Sequence, residues 1–107
     1  LRSVRSGASL EELRSTALRS TQSLIAVLHP RSDHLVGYYR VSDILAASDH
    51  PPRLRALVTL RADTTQAVAL GELMNRDCDL AKVVGTRNEM LGIVQTKRLV
   101  GQLLQPT

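Results

Sequence analysis

The apolar positions of the chain alternate between helix-like and strand-like spacing from the first residues onward. A short apolar stretch around Val4 predicts a strand, and Ser9 with Glu12 forms an S-x-x-E capping box that predicts the start of a helix. The apolar face of this helix is predicted from residues spaced at i, i+3, i+7 and i+8, namely Leu10, Leu13, Ala17 and Leu18.

Two apolar runs follow, and turn-forming residues separate them. The run SLIAVLH (23–29) is continuous and predicts a strand that is buried on both faces. PRSDH predicts a turn, and LVGYY (35–39) predicts a second strand that pairs antiparallel with the first. SDILAA then predicts a short helix with Ser42 or Asp43 at its start.

The same order of elements begins again in the second half of the chain. ALVTL (56–60) predicts a strand, and Asp63 with Gln66 forms a second capping box before a helix. LAKVV (80–84) and MLGIV (90–94) predict two strands around the turn GTRNE, and KRLVGQLL predicts a closing helix. The predicted apolar faces are Ala67, Leu70 and Met74 on the first of these helices and Leu99, Val100, Leu103 and Leu104 on the second.

This repetition indicates an internal duplication. LVGYYRVSDIL aligns with MLGIVQTKRLV, so that Gly37 and Gly92 are equivalent positions 55 residues apart. Units of about 50 residues have marginal cores alone, so they are expected to pack against each other. The sequence therefore predicts an α+β (mixed α/β) fold of two tandem β-α-β-β-α units, 1–49 and 56–107, packed as a pseudo-twofold pair. The segment 50–55, with Pro51 and Pro52, is the predicted linker.

Composition narrows the range of functions. Of the 107 residues 43% are hydrophobic, which is typical of a globular chain, and only 2% are aromatic. The net charge of +4 comes from basic residues scattered along the chain, which either form a solvated surface or attract an anion. With so few aromatic side chains to stack on bases, no nucleic-acid partner is expected.

Several classes of site are not supported by the sequence. Cys78 is the only cysteine and the three histidines show no ligand spacing, so no metal site is expected. No nucleophile elbow or other catalytic signature occurs, so the chain is not expected to be an enzyme. No run approaches the ~18 apolar residues of a membrane span. The start at Leu1 and the end in QPT are typical of a piece of a longer protein.

At this point the pattern resembles a known family. The first half resembles a CBS domain in the stretches SLEEL, SLIAVL and LVGYYRVSDIL. The second half resembles another CBS domain in the stretch LRADTTQAVALGELMNRDCDLAKVVGTRNEMLGIVQTKRL. Two CBS domains in tandem form a regulatory Bateman module. Within that class GYYRVSDIL is most similar to the CorC-like and hemolysin-C-like membrane proteins, in which a CBS pair follows a membrane domain and is implicated in magnesium transport.

The resemblance implies a nucleotide-binding motif: a glycine, a Thr or Ser three residues on and an Asp six residues on. Counted from Gly37 these positions hold Arg40 and Asp43, and counted from Gly92 they hold Gln95 and Arg98. The implied ligand is ATP, ADP or AMP in a cleft that contains Asp43, Arg40 and Tyr38. Asp43 either binds the ribose hydroxyls or only caps its helix, and both hypotheses stay open here.

The family also implies a context. The chain would be the cytoplasmic part of a parent protein in the membrane, attached to a membrane domain and paired with a second copy of itself. The alternative is that ligand binding has been lost and that the fold serves dimerisation only. The degraded motif in the second half favours this alternative, whereas Asp43 favours nucleotide binding.

Overall fold

A computed structural model of the chain describes residues 1–104, with side chains described to residue 101. The chain divides into two compact units, of which the first is Leu1–Ala56 and the second begins at Leu57. Each unit has one three-stranded sheet and two helices. The predicted α+β fold of two β-α-β-β-α units is confirmed.

The first unit has its strands and helices in the predicted order. They are β1 (Ser3–Arg5), α1 (Leu10–Arg19), β2 (Leu24–Leu28), β3 (Leu35–Arg40) and α2 (Val41–Ala46). In the sheet, β1 pairs parallel with β2 and β2 pairs antiparallel with β3, as the hairpin prediction required. β2 is the central strand, which explains why its sequence is apolar without alternation.

The second unit repeats this arrangement. Its elements are β4 (Val58–Arg61), α3 (Gln66–Asn75), β5 (Leu80–Val84), β6 (Met90–Gln95) and α4 (Thr96–Leu104). The duplication extends to the register of the hairpins. Gly37 lies opposite Val27 and Gly92 lies opposite Val83, and in both hairpins the register shifts at this point.

The core of the first unit lies between its sheet and its helices. The buried cluster consists of Val4, Leu13, Ala17, Ile25, Val27 and Ile44. The prediction for the face of α1 was correct for Leu13 and Ala17 but wrong for Leu18, which is 76% exposed. Thr16 is buried instead, which is possible because its hydroxyl donates to the carbonyl of Glu12 at 3.0 Å.

Two predictions for α3 were wrong. The N-cap is Thr65, whose hydroxyl accepts from the amide of Val68 at 3.3 Å, and not Asp63. Thr65 is the structural equivalent of Ser9, which caps α1 by accepting from the amide of Glu12. The buried face of α3 carries Ala69 and Leu73, whereas Ala67 and Met74 are exposed.

The closing helix α4 packs through Leu99, which is buried as predicted, and Val100 is partly buried. The predicted apolar positions Leu103 and Leu104 lie outside the residues whose side chains are described. No helix within residues 1–104 is both long enough and apolar enough to cross a bilayer.

Candidate functional site

Asp43 lies in the first turn of α2 but does not cap it. The helix begins at Val41, its N-cap is Arg40, and no side chain makes a capping hydrogen bond there. The prediction that Ser42 or Asp43 starts the helix was therefore wrong. The reason is that β3 runs directly into α2, and the first helical amide, that of Val41, donates to the carbonyl of Ser23 at 2.8 Å.

The carboxylate of Asp43 is instead paired with an arginine from the predicted linker. Its Oδ2 atom accepts from Nε of Arg55 at 3.4 Å and from Nη2 at 3.3 Å. The side chain of Asp43 is 39% exposed and that of Arg55 is 31% exposed, so the ion pair contributes at most about 1 kcal/mol to stability. The carboxylate thus remains accessible from solvent while it holds a cation on one of its oxygens.

The backbone of Arg55 is held against β3. The amide of Tyr38 donates to the carbonyl of Arg55 at 3.1 Å, and the amide of Arg55 donates to the carbonyl of Tyr38 at 3.0 Å. The chain passes so close to Gly37 that a Cβ there would lie 2.6 Å from the Arg55 carbonyl oxygen and 2.9 Å from Cγ of Leu54. A glycine is therefore required at position 37 for a local structural reason, because only a residue without a side chain lets the segment Leu54–Arg55 cover the strand.

The start of this covering segment is also anchored. Nη2 of Arg14 on α1 donates to the carbonyl of Ala47, and the same atom donates to the carbonyl of Ser48 at 3.2 Å. The residues between α2 and the second unit are thus fixed at Arg14 and again at Tyr38. A change in the conformation of this segment would have to break one of these attachments.

The two tyrosines of the motif have different environments. Tyr38 is 1% exposed, so a contact between its ring and a ligand would require a rearrangement. Tyr39 is partly buried and packs against the core cluster, and desolvation by this burial raises the pKa of its hydroxyl. The prediction that one of the two is a core residue is confirmed for Tyr38.

Of the predicted site residues, the structure brings Asp43 and the backbone of Tyr38 together through Arg55, and it places Arg40 at the junction of β3 and α2. Arg55 is the residue that the sequence analysis missed. Arg55 directly follows the proline-containing part of the connector. It is attached to β3 through backbone atoms, and backbone hydrogen bonds leave no signature in the sequence.

The equivalent position in the second unit has the opposite charge. α4 begins at Thr96, whose amide donates to the carbonyl of Asp79 at 3.0 Å, as Val41 does to Ser23. The hydroxyl of Thr96 donates to the carbonyl of Cys78 at 2.6 Å. Arg98, in the place of Asp43, is exposed and has no ion pair with any residue that the structure describes.

Among the side chains that the structure describes, no group of three or more His, Cys, Asp or Glu could hold a metal ion. The candidate site is therefore built from the carboxylate of Asp43, which can accept hydrogen bonds from hydroxyl groups, and the guanidinium of Arg55, whose positive charge can attract an anion.

Comparison with known proteins supports the fold. No protein-family model matches the chain, and no curated protein sequence does. Solved structures match over nearly the whole chain. The CBS domain of a bacterial CNNM/CorC family Mg2+ transporter in complex with ATP has a TM-score of 0.76 and 20% identity, over 97% of this chain and 78% of that one.

Two further structures give the same result. A hemolysin-like protein containing a CBS domain from Oenococcus oeni has a TM-score of 0.79 and 18% identity, with 98% of this chain and 82% of that chain covered. A CBS-domain pair with bound AMP from Klebsiella pneumoniae has a TM-score of 0.72 and 10% identity, over 98% and 90%. The chain has the fold of a tandem CBS-domain pair.

Proposed function

We propose that the chain is the regulatory CBS-domain pair of a larger CorC-like protein related to divalent-cation transport, and that it senses an adenine nucleotide. The folds of a CorC-family CBS domain solved with ATP and of a CBS pair solved with AMP support this proposal. The role is binding and not catalysis, and no metal ion is held by this part of the protein alone.

The observation that carries the nucleotide proposal is the placement of Asp43. It lies six residues after Gly37, in the first turn of α2, with 39% of its side chain exposed. A ribose offers two hydroxyl donors, and an ionised carboxylate accepts from both. Arg40 and Arg55 provide positive charge for a phosphate beside it. Tyr38 stays a predicted lining residue of this site.

The second unit is proposed to bind no nucleotide in this manner. Arg98 has five donors and no acceptor, so against a ribose diol it would place donors against donors. An unsatisfied buried polar group costs about 1–3 kcal/mol, and more if it is charged. We therefore propose one nucleotide per chain, bound in the first unit.

The attached partner is proposed to be a membrane domain of the same parent protein, with this pair on its cytoplasmic side. The support is that a structurally similar CBS domain belongs to a bacterial Mg2+ transporter. The anchored segment between the units is a route by which a ligand at Asp43 could act on the second unit, because it holds the Arg55 that pairs with Asp43.

Titration calorimetry with ATP and AMP, each with and without magnesium, tests the nucleotide proposal. We expect about one site per chain. Asp43→Asn should weaken binding about tenfold or more, because the amide loses charge-assisted bonds worth roughly 1.5–3 kcal/mol. Arg98→Ala is the matched control at the equivalent position and should leave the affinity unchanged. Two equal sites per chain, or an unchanged affinity in Asp43→Asn, would refute the assignment.

The alternative function is a dimerisation module without a ligand, and one observation favours it. Arg55 already occupies Oδ2 of Asp43, so a ribose would have to displace it or share the carboxylate with it. A complete absence of heat for all nucleotides, together with an unchanged melting temperature, would favour this alternative.

Both functions include a homodimer, which we propose to form through the helices that follow β3 and β6. Leu45 on α2 is 50% exposed, which is consistent with a partner on that helix. Sedimentation equilibrium is expected to give about twice the 11.7 kDa mass of the chain. Leu45→Glu should shift it toward the monomer, whereas Leu18→Glu on α1, at a leucine that is 76% exposed, should not. A wild-type monomer at high concentration would contradict the proposal.

A further inference from the structure

Arg55 combines a fixed backbone with a loosely held side chain. Its amide and its carbonyl both bond to Tyr38, at 3.0 and 3.1 Å. Among the described residues its guanidinium bonds only to Asp43, and the two hydrogen bonds, of 3.4 and 3.3 Å, both end on Oδ2. Charge-assisted bonds of this kind are usually shorter, about 2.7–2.9 Å. The guanidinium can therefore leave Asp43 by side-chain rotation alone, while the segment that covers β3 stays in place.

Asp43 has no other contact that a ligand would disturb. Its side chain does not cap α2, and the guanidinium of Arg55 is its only hydrogen-bond partner among the described residues. A ribose diol that approaches this carboxylate therefore meets a single competitor, which is Arg55. Displacement of the competitor costs little, because both side chains of the ion pair are partly exposed to solvent.

The net cost depends on what the ligand offers to the displaced arginine. A nucleoside occupies the carboxylate of Asp43 but leaves the guanidinium of Arg55 without a counter-ion. A nucleotide also brings a phosphate, to which the same guanidinium can donate. In that case Asp43 exchanges the guanidinium for two hydroxyl donors, and Arg55 exchanges a carboxylate for a phosphate. The ion pair therefore opposes an uncharged ligand much more than a phosphorylated one.

We propose that Arg55 determines the specificity of the Asp43 site: it competes with uncharged nucleosides for the carboxylate and admits nucleosides that carry a phosphate. This inference rests on the proposed nucleotide binding and adds to it the residue that selects the ligand class. The weakness of the ion pair is part of the selection. A stronger pair would also oppose phosphorylated ligands, whereas without the pair the carboxylate would be open to both kinds.

Arg55→Met tests the proposal, because methionine has a similar length but neither charge nor donor, and the backbone bonds to Tyr38 remain. The affinities of adenosine and 5′-AMP are measured by NMR titration, which also detects weak binding. Adenosine should bind about two- to fivefold more tightly to the variant, because its competitor is gone. The preference for 5′-AMP over adenosine should fall about tenfold or more, because the phosphate loses a charge-assisted partner. The affinity for 5′-AMP itself should therefore decrease.

Arg53→Met is the matched control, because it removes the same charge from an exposed arginine two residues earlier that has no hydrogen bond or ion pair among the described residues. It should change neither affinity by more than about twofold. Equal affinities of the wild-type chain for the two ligands, or changes of the same sign in Arg55→Met, would overturn the role of Arg55. Nucleotide binding that depends on Asp43 would still stand in that case. Failure of both ligands to bind both proteins would overturn the proposed function and this inference together.

Discussion

Leu13→Ala is expected to lower the free energy of unfolding by about 2–5 kcal/mol, the range for removing a buried leucine side chain from a core. Leu13 is 0% exposed and lies in the cluster that joins α1 to the sheet and to Ile44 of α2. The loss combines the transfer free energy of the missing methyl groups with the cavity that they leave.

Leu18→Ala is the matched control on the same helix. Both residues were predicted to belong to one apolar face, but Leu18 is 76% exposed. Its truncation should change the free energy of unfolding by no more than about 0.5 kcal/mol. Urea denaturation followed by circular dichroism measures both variants. Equal losses would contradict the burial of Leu13 and the exposure of Leu18 on this helix.

Gly37→Ala is expected to destabilise the first unit by about 1–3 kcal/mol, the usual cost of forcing an extra methyl group into a packed site. The new methyl group would lie 2.6 Å from the carbonyl oxygen of Arg55, and a backbone atom cannot move away without loss of the hydrogen bonds between Arg55 and Tyr38. Hydrogen exchange should therefore be faster at these two amides in the variant.

Gly92→Ala is the control at the equivalent position of the second unit. Since nothing lies within 4 Å of the added Cβ, the substitution should be neutral or stabilising by up to about 1 kcal/mol. The two variants are compared by urea denaturation. Equal losses of stability in the two variants would contradict the different surroundings of Gly37 and Gly92.

The sequence determined the order of the elements and the duplication. Apolar runs of strand length, turn residues and two glycines 55 residues apart were enough, because burial of a strand or a helix face leaves a direct trace in residue type. The Ser9 cap of α1 was also correct, since its hydroxyl lies in sequence directly before the helix that it caps.

The sequence determined less well which face of each helix is buried. α3 is QAVALGELMN, which has apolar residues on several sides, so the sequence pattern could not select Ala69 and Leu73 over Ala67 and Met74. The cap of α3 was placed too early for a related reason: Asp63 and Thr65 are both good caps, and only the point at which the backbone turns into the helix selects Thr65.

The environment of the candidate site was decided by tertiary structure alone. The sequence indicated Asp43 through its spacing from Gly37, but it gave two local roles for it, a cap or a ligand-binding acid. In the structure Asp43 faces Arg55, which is 12 residues away and attached to β3 by backbone hydrogen bonds. Backbone pairing has no side-chain signature, so the covered edge of β3 and the arginine beside Asp43 are recognised only in the folded chain.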